Sequence, residues 1–309
     1  MDTPPHPADR GATGADAHPA SPGAIDLGGV VVERVVEQQL PIFDAQSFFP
    51  GLTDEVLDDV RPAALAEGSL DPSGELVLAV QSYVVRTPRL TVVVDTCVGN
   101  HRSYPHLPPW DRLQLTSYAG GLARLGLTPA DVDVVVNTHL HGDHVGWNTT
   151  LAGGRWVPTF PNARHLFVAD ELAHWQAVHA GTPSAVVADS VLPVLAAGQA
   201  EVVAADHQLD DGVRLVHTPG HTPGHVVVRV DGTDRGALVT GDLVHSPVQL
   251  RHPDLTMLMD VDPAQSVASR RRVLNEAQRE QLLLCTGHFP LPSVGTLDAH
   301  AEGFVWAPA

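Results

Sequence analysis

The chain has 309 residues, 43% of them hydrophobic, which is enough to bury a substantial core in one large domain or two small ones. A net charge of −18 argues against nucleic acid or an anionic membrane surface as partner, because either would need a basic stripe. All 18 cationic side chains are arginine, which excludes Schiff-base and P-loop lysine chemistry.

Residues 1–28 are rich in Pro, Ala, Gly and Asp without apolar periodicity, and are expected to form a disordered tail. His6 and His18 fall in that tail and are not expected to be ligands. The N-terminus lacks the basic start and apolar stretch of a signal peptide, and no run approaches the roughly 18 apolar residues of a membrane span. A cytoplasmic protein is expected.

Residues 29–309 contain no linker and no GxGxxG loop, which favours a single domain. "VVVERVVE", "LVLAVQSYVVRT" and "LTVVVDT" predict strands, the last ending at Asp95. "WDRLQLTSYAGGLARLGL" has helical spacing, and in "TPADVDVVVNTH" Thr128 and Pro129 predict a capped helical start running into a buried strand. "ARHLFVADELAHWQAVHA" reads as strand then helix, followed by strands at "VRLVHT", "HVVVRV" and "GALVTGD". A helix over "DPAQSVASRRRVLNEAQREQ" presents Arg270, Arg271 and Arg272 as an exposed basic cluster. The strand "LLLCTGH" and a closing pair near "GTLDAH" and "GFVWAP" complete a mixed α and β chain. Cys97 and Cys285 lie in apolar runs and read as packing thiols, with one bridge between them left open.

Three segments carry chemistry. "HLHGDH" supplies His139, His141, Asp143 and His144 just beyond an apolar strand, and imidazole nitrogen and carboxylate oxygen are the usual non-cysteine ligands of divalent metals. Gly142 permits a tight turn, so that His139 and His141 can face one point while Asp143 and His144 face another. Four ligands cannot saturate two metals, and more are required downstream. "HTPGHTPGH" offers His217, His221 and His225, on a loop because its Pro and Gly residues forbid a helix. "LVTGD" and "LLLCTGH" place Asp242 and His288 beyond two further strands, as a site on the rim of a sheet requires.

These motifs, in this order, resemble the metallo-β-lactamase superfamily in its dinuclear metallo-hydrolase branch, over nearly all of residues 29–309. The resemblance implies an α/β (α+β) fold: a four-layer αββα sandwich with two central mixed sheets flanked by helices. It assigns His139, His141 and His221 to one metal, Asp143, His144 and His288 to the other, and Asp242 as a bridge. It places Asp95 and His225 behind the ligands and leaves His217 to packing. The bridging aspartate disfavours β-lactamases proper, and His141, where diiron flavoproteins carry glutamate, disfavours that branch. The segments around Asp242 and the C-terminus look most like methyl parathion hydrolase and quorum-quenching lactonases, which often carry a tyrosine where this chain has His245.

The activity this implies is hydrolysis of an ester or lactone, and of phosphotriesters as side substrates, by a water acidified between two divalent ions. Zn²⁺ is the expected metal, with Mn²⁺, Fe²⁺ or Co²⁺ as alternatives. Asp143 and Asp242 balance the charge and relay a proton, and His245 is the candidate donor to the developing oxyanion. Trp110, Trp147, Trp156 and Phe160 are candidate apolar walls for a small apolar substrate. A homodimer is left open. The rival readings are a glyoxalase II-like thioesterase, a mononuclear iron enzyme of the persulfide dioxygenase type, a nuclease, and a binding protein without catalysis.

Overall fold

The structure is a computed structural model, and it describes residues 23–301 and 303–309. Strand β1 (Ile25–Asp26) pairs with the long β2 (Val31–Asp44), and the short helix α1 (Ala45–Phe48) and α2 (Asp54–Ala66) lead into β3 (Glu75–Arg86) and β4 (Thr91–Val94). Helix α3 (Ser117–Arg124), β5 (Val134–Val136) and the single turn α4 (Gly142–Val145) follow. A hairpin of β6 (Thr149–Ala152) and β7 (Arg155–Pro158) stands apart from the main sheets. Then come β8 (Arg164–Val168), α5 (Ala169–Gly181), α6 (Leu192–Ala196) and β9 (Ala200–Val203). These strands form a seven-stranded sheet in the order β1-β2-β3-β4-β5-β8-β9, antiparallel up to β4 and parallel beyond it.

The second sheet is also seven-stranded, with its strands in sequence order. They are β10 (Gln208–Asp210), β11 (Val213–His217), β12 (Val226–Asp231), β13 (Gly236–Val239), and, after α7 (Pro247–Arg251) and α8 (Pro263–Glu280), β14 (Leu283–Cys285), β15 (Val294–His300) and β16 (Gly303–Pro308). Only β13 and β14 run parallel, because the two helices carry the chain back across the sheet between them.

The inner faces meet in one apolar layer, where Val92, Val94, Val134 and Val136 pack with Val226, Val228, Val239 and Cys285. Helix α3 covers the outer face of the first sheet with Tyr118 and Leu122, and α8 covers the second with Val273, Leu274 and Ala277. This is the αββα sandwich. Strands β4 and β5 are buried on both faces, which is why they read as unbroken valine runs. No helix among the described residues is long and apolar enough to cross a membrane.

Several expectations need correction. Within the segment read as tail, Ile25 and Asp26 are in a strand and Leu27 is fully buried, because it packs into the inter-sheet layer. His6 and His18 lie outside the described residues. The helix anticipated from Trp110 begins only at Ser117, since Pro108–Trp110 form a 3₁₀ turn and Arg112 adopts a positive φ of 51°. Helix α2 was not anticipated. Arg270 is not exposed: it is fully buried on α8 and donates to the carbonyls of Leu243, Pro253 and Leu255. The two cysteines are buried and unbridged.

The parallel pairs set the rim on which the site is built. Val94 lies opposite Val136, and Val239 opposite Cys285. Each pair therefore ends at a common level, and the chain leaves those ends as Asp95, Thr138 to His144, Asp242 and His288.

Candidate metal centre

The "HLHGDH" segment leaves β5 in an extended turn and folds at Gly142 into the one-turn helix α4. His139 and His141 precede the turn, and Asp143 and His144 lie within it. His139 Nε2 lies 2.9 Å from His141 Nδ1, and His221 Nε2 lies 2.9 Å from the same atom. These three rings form one group with Asp242, Asp143, His144 and His288 form a second, and Asp242, His245 and His288 form a third that overlaps both. His144 Nε2 and His288 Nε2 are 3.2 Å apart, and Asp143 Oδ2 lies 3.7 and 3.6 Å from them.

Asp242 stands between the first two groups and gives one oxygen to each. Its Oδ1 is 3.0 Å from His144 Nε2 and 2.9 Å from His288 Nε2, and its Oδ2 is 3.2 Å from His221 Nε2 and 3.5 Å from His139 Nε2. The aspartate reaches this place because Gly241 turns with φ 47°, where a side chain would strike Thr138.

The donor set fits divalent cations. His144 Nδ1 donates to Asp95 Oδ2 at 2.8 Å, His221 Nδ1 to Asp260 Oδ1 at 3.1 Å, and His288 Nδ1 to the Ala79 carbonyl at 2.8 Å. Each outer bond fixes the ring's tautomer and leaves the Nε2 lone pair aimed at the cluster. Lone pairs this close repel unless a positive charge lies among them. Asp242 Oδ1, although beside two imidazoles, is buried without an aligned hydrogen bond. Burial opposes charge on His144, but Asp242, Asp143 and Asp95 hold its pKa well above the ordinary value. For His221 burial is likewise outweighed by the bonds to Asp242 and Asp260, which push it up to about 9. Conversely, burial and the neighbouring histidines hold His139 and His141 well below it. The Asp242 carboxyl stays well below the carboxylate range because four histidines outweigh its burial. The cluster as a whole calls for positive charge.

The surrounding groups sort themselves by contact. Asp95 also accepts from Thr138 N and Thr138 Oγ1, at 2.8 Å each. His225 accepts from Asp242 N at 3.0 Å and faces Thr218 Oγ1, so it lies beneath the cluster, and burial pushes its pKa down to about 3. His217 donates to the Pro223 carbonyl and stands apart from both groups. His245 is not an exposed loop residue but 1% exposed; its Nε2 faces Asp242 Oδ2 at 3.1 Å, its ring stacks on His288, and its Nδ1 is buried without a partner.

A cavity of about 730 Å³ opens over Asp143, Asp242 and His288. Of the four aromatic residues expected in its wall, only Trp110 lines it. Trp147 stacks on Tyr118 and donates to Glu37, Trp156 lies under the Arg102 guanidinium, and Phe160 is sealed in the core. The other aromatic walls are Phe43, Phe48, Tyr104 and Trp175, none of them close in sequence to "HLHGDH". The Tyr104 hydroxyl fills the place of a side chain at Gly142: a Cβ there would lie 2.2 Å from it. The segment Met257 to Asp262 forms a lip, with Leu258 and Met259 exposed at the cavity edge and Asp260 turned inward to His221. Asp260 and Trp175 carried no motif by which to find them.

Two facing sheets with outer helices, holding a split histidine–carboxylate cluster at one rim, define an αββα protein with a candidate two-ion centre. The chain belongs to the metallo-beta-lactamase superfamily, whose family model matches residues 76–288. The N-acyl homoserine lactonase AiiA of Bacillus thuringiensis subsp. kurstaki is 24% identical over 236 residues, covering 71% of this chain and 85% of that protein. Metallo-beta-lactamase domain-containing protein 1 of Xenopus laevis is 29% identical over 229 residues, covering 73% and 78%. Among solved structures, the hydrolase AbOPH superposes with TM-score 0.78 at 21% identity, covering 94% of this chain and 98% of that one. AidC, a dizinc quorum-quenching lactonase in complex with its product, superposes with TM-score 0.75 at 20% identity, covering 93% and 96%. Those two likenesses concern the fold.

Proposed function

We propose that the protein is a metal-dependent hydrolase of lactones or esters whose body is apolar and uncharged. The observation that carries this reading is the cavity itself: two ligand groups sharing Asp242 open directly into an aromatic and aliphatic chamber with no arginine in its lining. Beyond the candidate metal cluster, the walls offer the body of an anionic substrate no arginine as countercharge, and Asp44 would repel it. A neutral lactone, ester or phosphotriester would meet apolar surface on most sides.

In this reading His139, His141 and His221 hold one divalent ion, and Asp143, His144 and His288 hold another, with Asp242 shared and Zn²⁺ the expected metal. Bound there, such ions supply Lewis acidity and lower the pKa of water toward neutrality. The chain's own groups do the rest. Asp95, Asp260 and the Ala79 carbonyl hold three imidazoles in the tautomer that ligates. Asp143, on the chamber wall, is placed to take a proton. His245 also lines the chamber, but its Nε2 faces Asp242, which suits steadying that carboxylate better than contacting an oxyanion. Phe48 and Trp110 exclude water and give the substrate body a surface to lie on. The dizinc character and the homoserine product of the AidC complex, and the lactonase activity in AiiA's name, agree with this assignment.

The deciding experiment loads the protein with Zn²⁺ and offers acylated γ-lactones, aryl esters, thioesters and phosphotriesters, following acid release. Turnover of lactones or esters, lost on chelation and in His141→Ala, is the expected result. One iron per chain with oxygen consumption and no hydrolysis would overturn it, and preference for a thioester would redirect it.

A further inference from the structure

Glu171 is a buried carboxylate, 1% exposed, in the first turn of α5, and it belongs to neither ligand group. Its Oε1 accepts from Leu140 N at 2.9 Å and from Trp175 Nε1 at 2.7 Å, and its Oε2 accepts from Gly224 N at 3.0 Å. Leu140 is the residue between His139 and His141, and Gly224 lies in the turn that carries His221. Trp175 sets its ring edge against His141, with centroids 5.3 Å apart. The turn is pressed on α5 so closely that a Cβ at Gly224 would lie 2.3 Å from Glu171 N. One carboxylate therefore ties together both segments that carry His139, His141 and His221.

The other group is braced elsewhere. His144 is held by Asp95 and His288 by the Ala79 carbonyl, and Glu171 makes no hydrogen bond to Asp143, His144 or His288. We infer that Glu171 is the positioning residue for the His139, His141 and His221 half of the centre, and that this half can be emptied while the other stays filled. The inference rests on reading the cluster as a two-ion centre.

The chemistry at Glu171 is specific to a carboxylate. Three N–H groups converge on it in a dry place, and only a group with two accepting oxygens satisfies all three. In Glu171→Gln the carbonyl can still accept from Leu140 and Trp175, but the amide nitrogen then opposes the Gly224 N–H. Donor faces donor, and the turn bearing His221 loses its anchor while the fold keeps an isosteric side chain.

The test is metal content, not turnover. The wild-type chain and the Glu171→Gln and Gly224→Ala variants are loaded with Zn²⁺, dialysed against a graded chelator, and measured for bound zinc and thermal unfolding. Two ions per wild-type chain are expected. In Glu171→Gln one ion should be lost at a free-zinc concentration about 10- to 100-fold higher than in the wild type, with the second ion's release unchanged. Gly224→Ala, which pushes the same turn away from α5, should give the same pattern. With Co²⁺ in place of zinc, the absorption band of only one site should shift. Loss of both ions together, or of neither, overturns the inference. So does loss of cooperative unfolding in both variants, which would assign Glu171 to the fold and not to the centre. A wild-type chain binding fewer than two ions would sink the two-ion reading instead, and a wild-type chain binding two ions without hydrolysing anything would sink the proposed activity while leaving Glu171 decided.

Discussion

His165 sits on β8 between Phe160 and Phe167, fully buried, and neither of its ring nitrogens has a hydrogen-bond partner among the described residues. Burial pushes its pKa down to about 3, below the roughly 6.5 of an unfolded chain. The unfolded chain therefore binds the proton first, so the stability associated with a neutral His165 is fully present above about pH 6.5 and is lost as pH falls toward 3. Between pH 7 and pH 5 this amounts to about 2 kcal/mol. Denaturant titrations of the wild type and His165→Phe at both values should show the variant losing that much less on acidification, with an equal loss in the two proteins counting against it. The clustered histidines could be read from sequence because each follows a strand end or lies in a tight repeat. Glu171, Asp260 and Trp175 could not, because what makes each matter is a contact made only after folding. The same limit misplaced Trp147, Trp156 and Phe160, whose closeness in sequence to the histidines says nothing about which way the folded chain turns them.

At the scale of elements, the valine runs and the turn residues carried most of the fold. Strands β4 and β5 appear where unbroken β-branched runs place them, and β12 and β13 where apolar runs do, since a strand buried on both faces needs no alternation. Helix α2 escaped because Pro62 interrupts it and its apolar face is supplied by only Leu57, Val60 and Ala64. Helix α8 was legible in extent but not in orientation: three consecutive arginines look like a solvated face, yet one of them is inside. Arg270 satisfies the carbonyls of Leu243, Pro253 and Leu255, so it joins α8 both to the segment after Asp242 and to the approach to the lip. Its guanidinium, lowered by burial to about 10, stays charged at neutral pH. Arg270→Ala should cost about 3 kcal/mol or more, because it leaves several buried carbonyls without a donor. Arg272→Ala should cost well under 1 kcal/mol, and a denaturant midpoint that moved equally in both variants would refute the distinction.

Across the whole molecule, a chain of net charge −18 encloses an apolar chamber, and on the proposed reading this suits neutral substrates that leave as acids. Leu258 and Met259, 66% and 56% exposed, stand at the chamber edge, where the tail of a substrate of the proposed class would lie against them. Replacing both with serine should raise KM several-fold for long-chain lactones or esters while leaving short-chain substrates unchanged. Equal effects on both would show that the lip does not touch substrate.

The lip is also the mounting of His221. The backbone N–H groups of Val261 and Asp262 bond the carbonyls of His221 and Gly220, the Leu258 N–H bonds that of Phe48, and Asp260 holds the His221 ring. Chamber edge, chamber wall and imidazole are thus joined through one set of hydrogen bonds. Under the proposed activity, a tail too large for the chamber would press on Leu258 and, through these bonds, on His221, so that poor fit would be felt as misaligned chemistry, in kcat more than in KM.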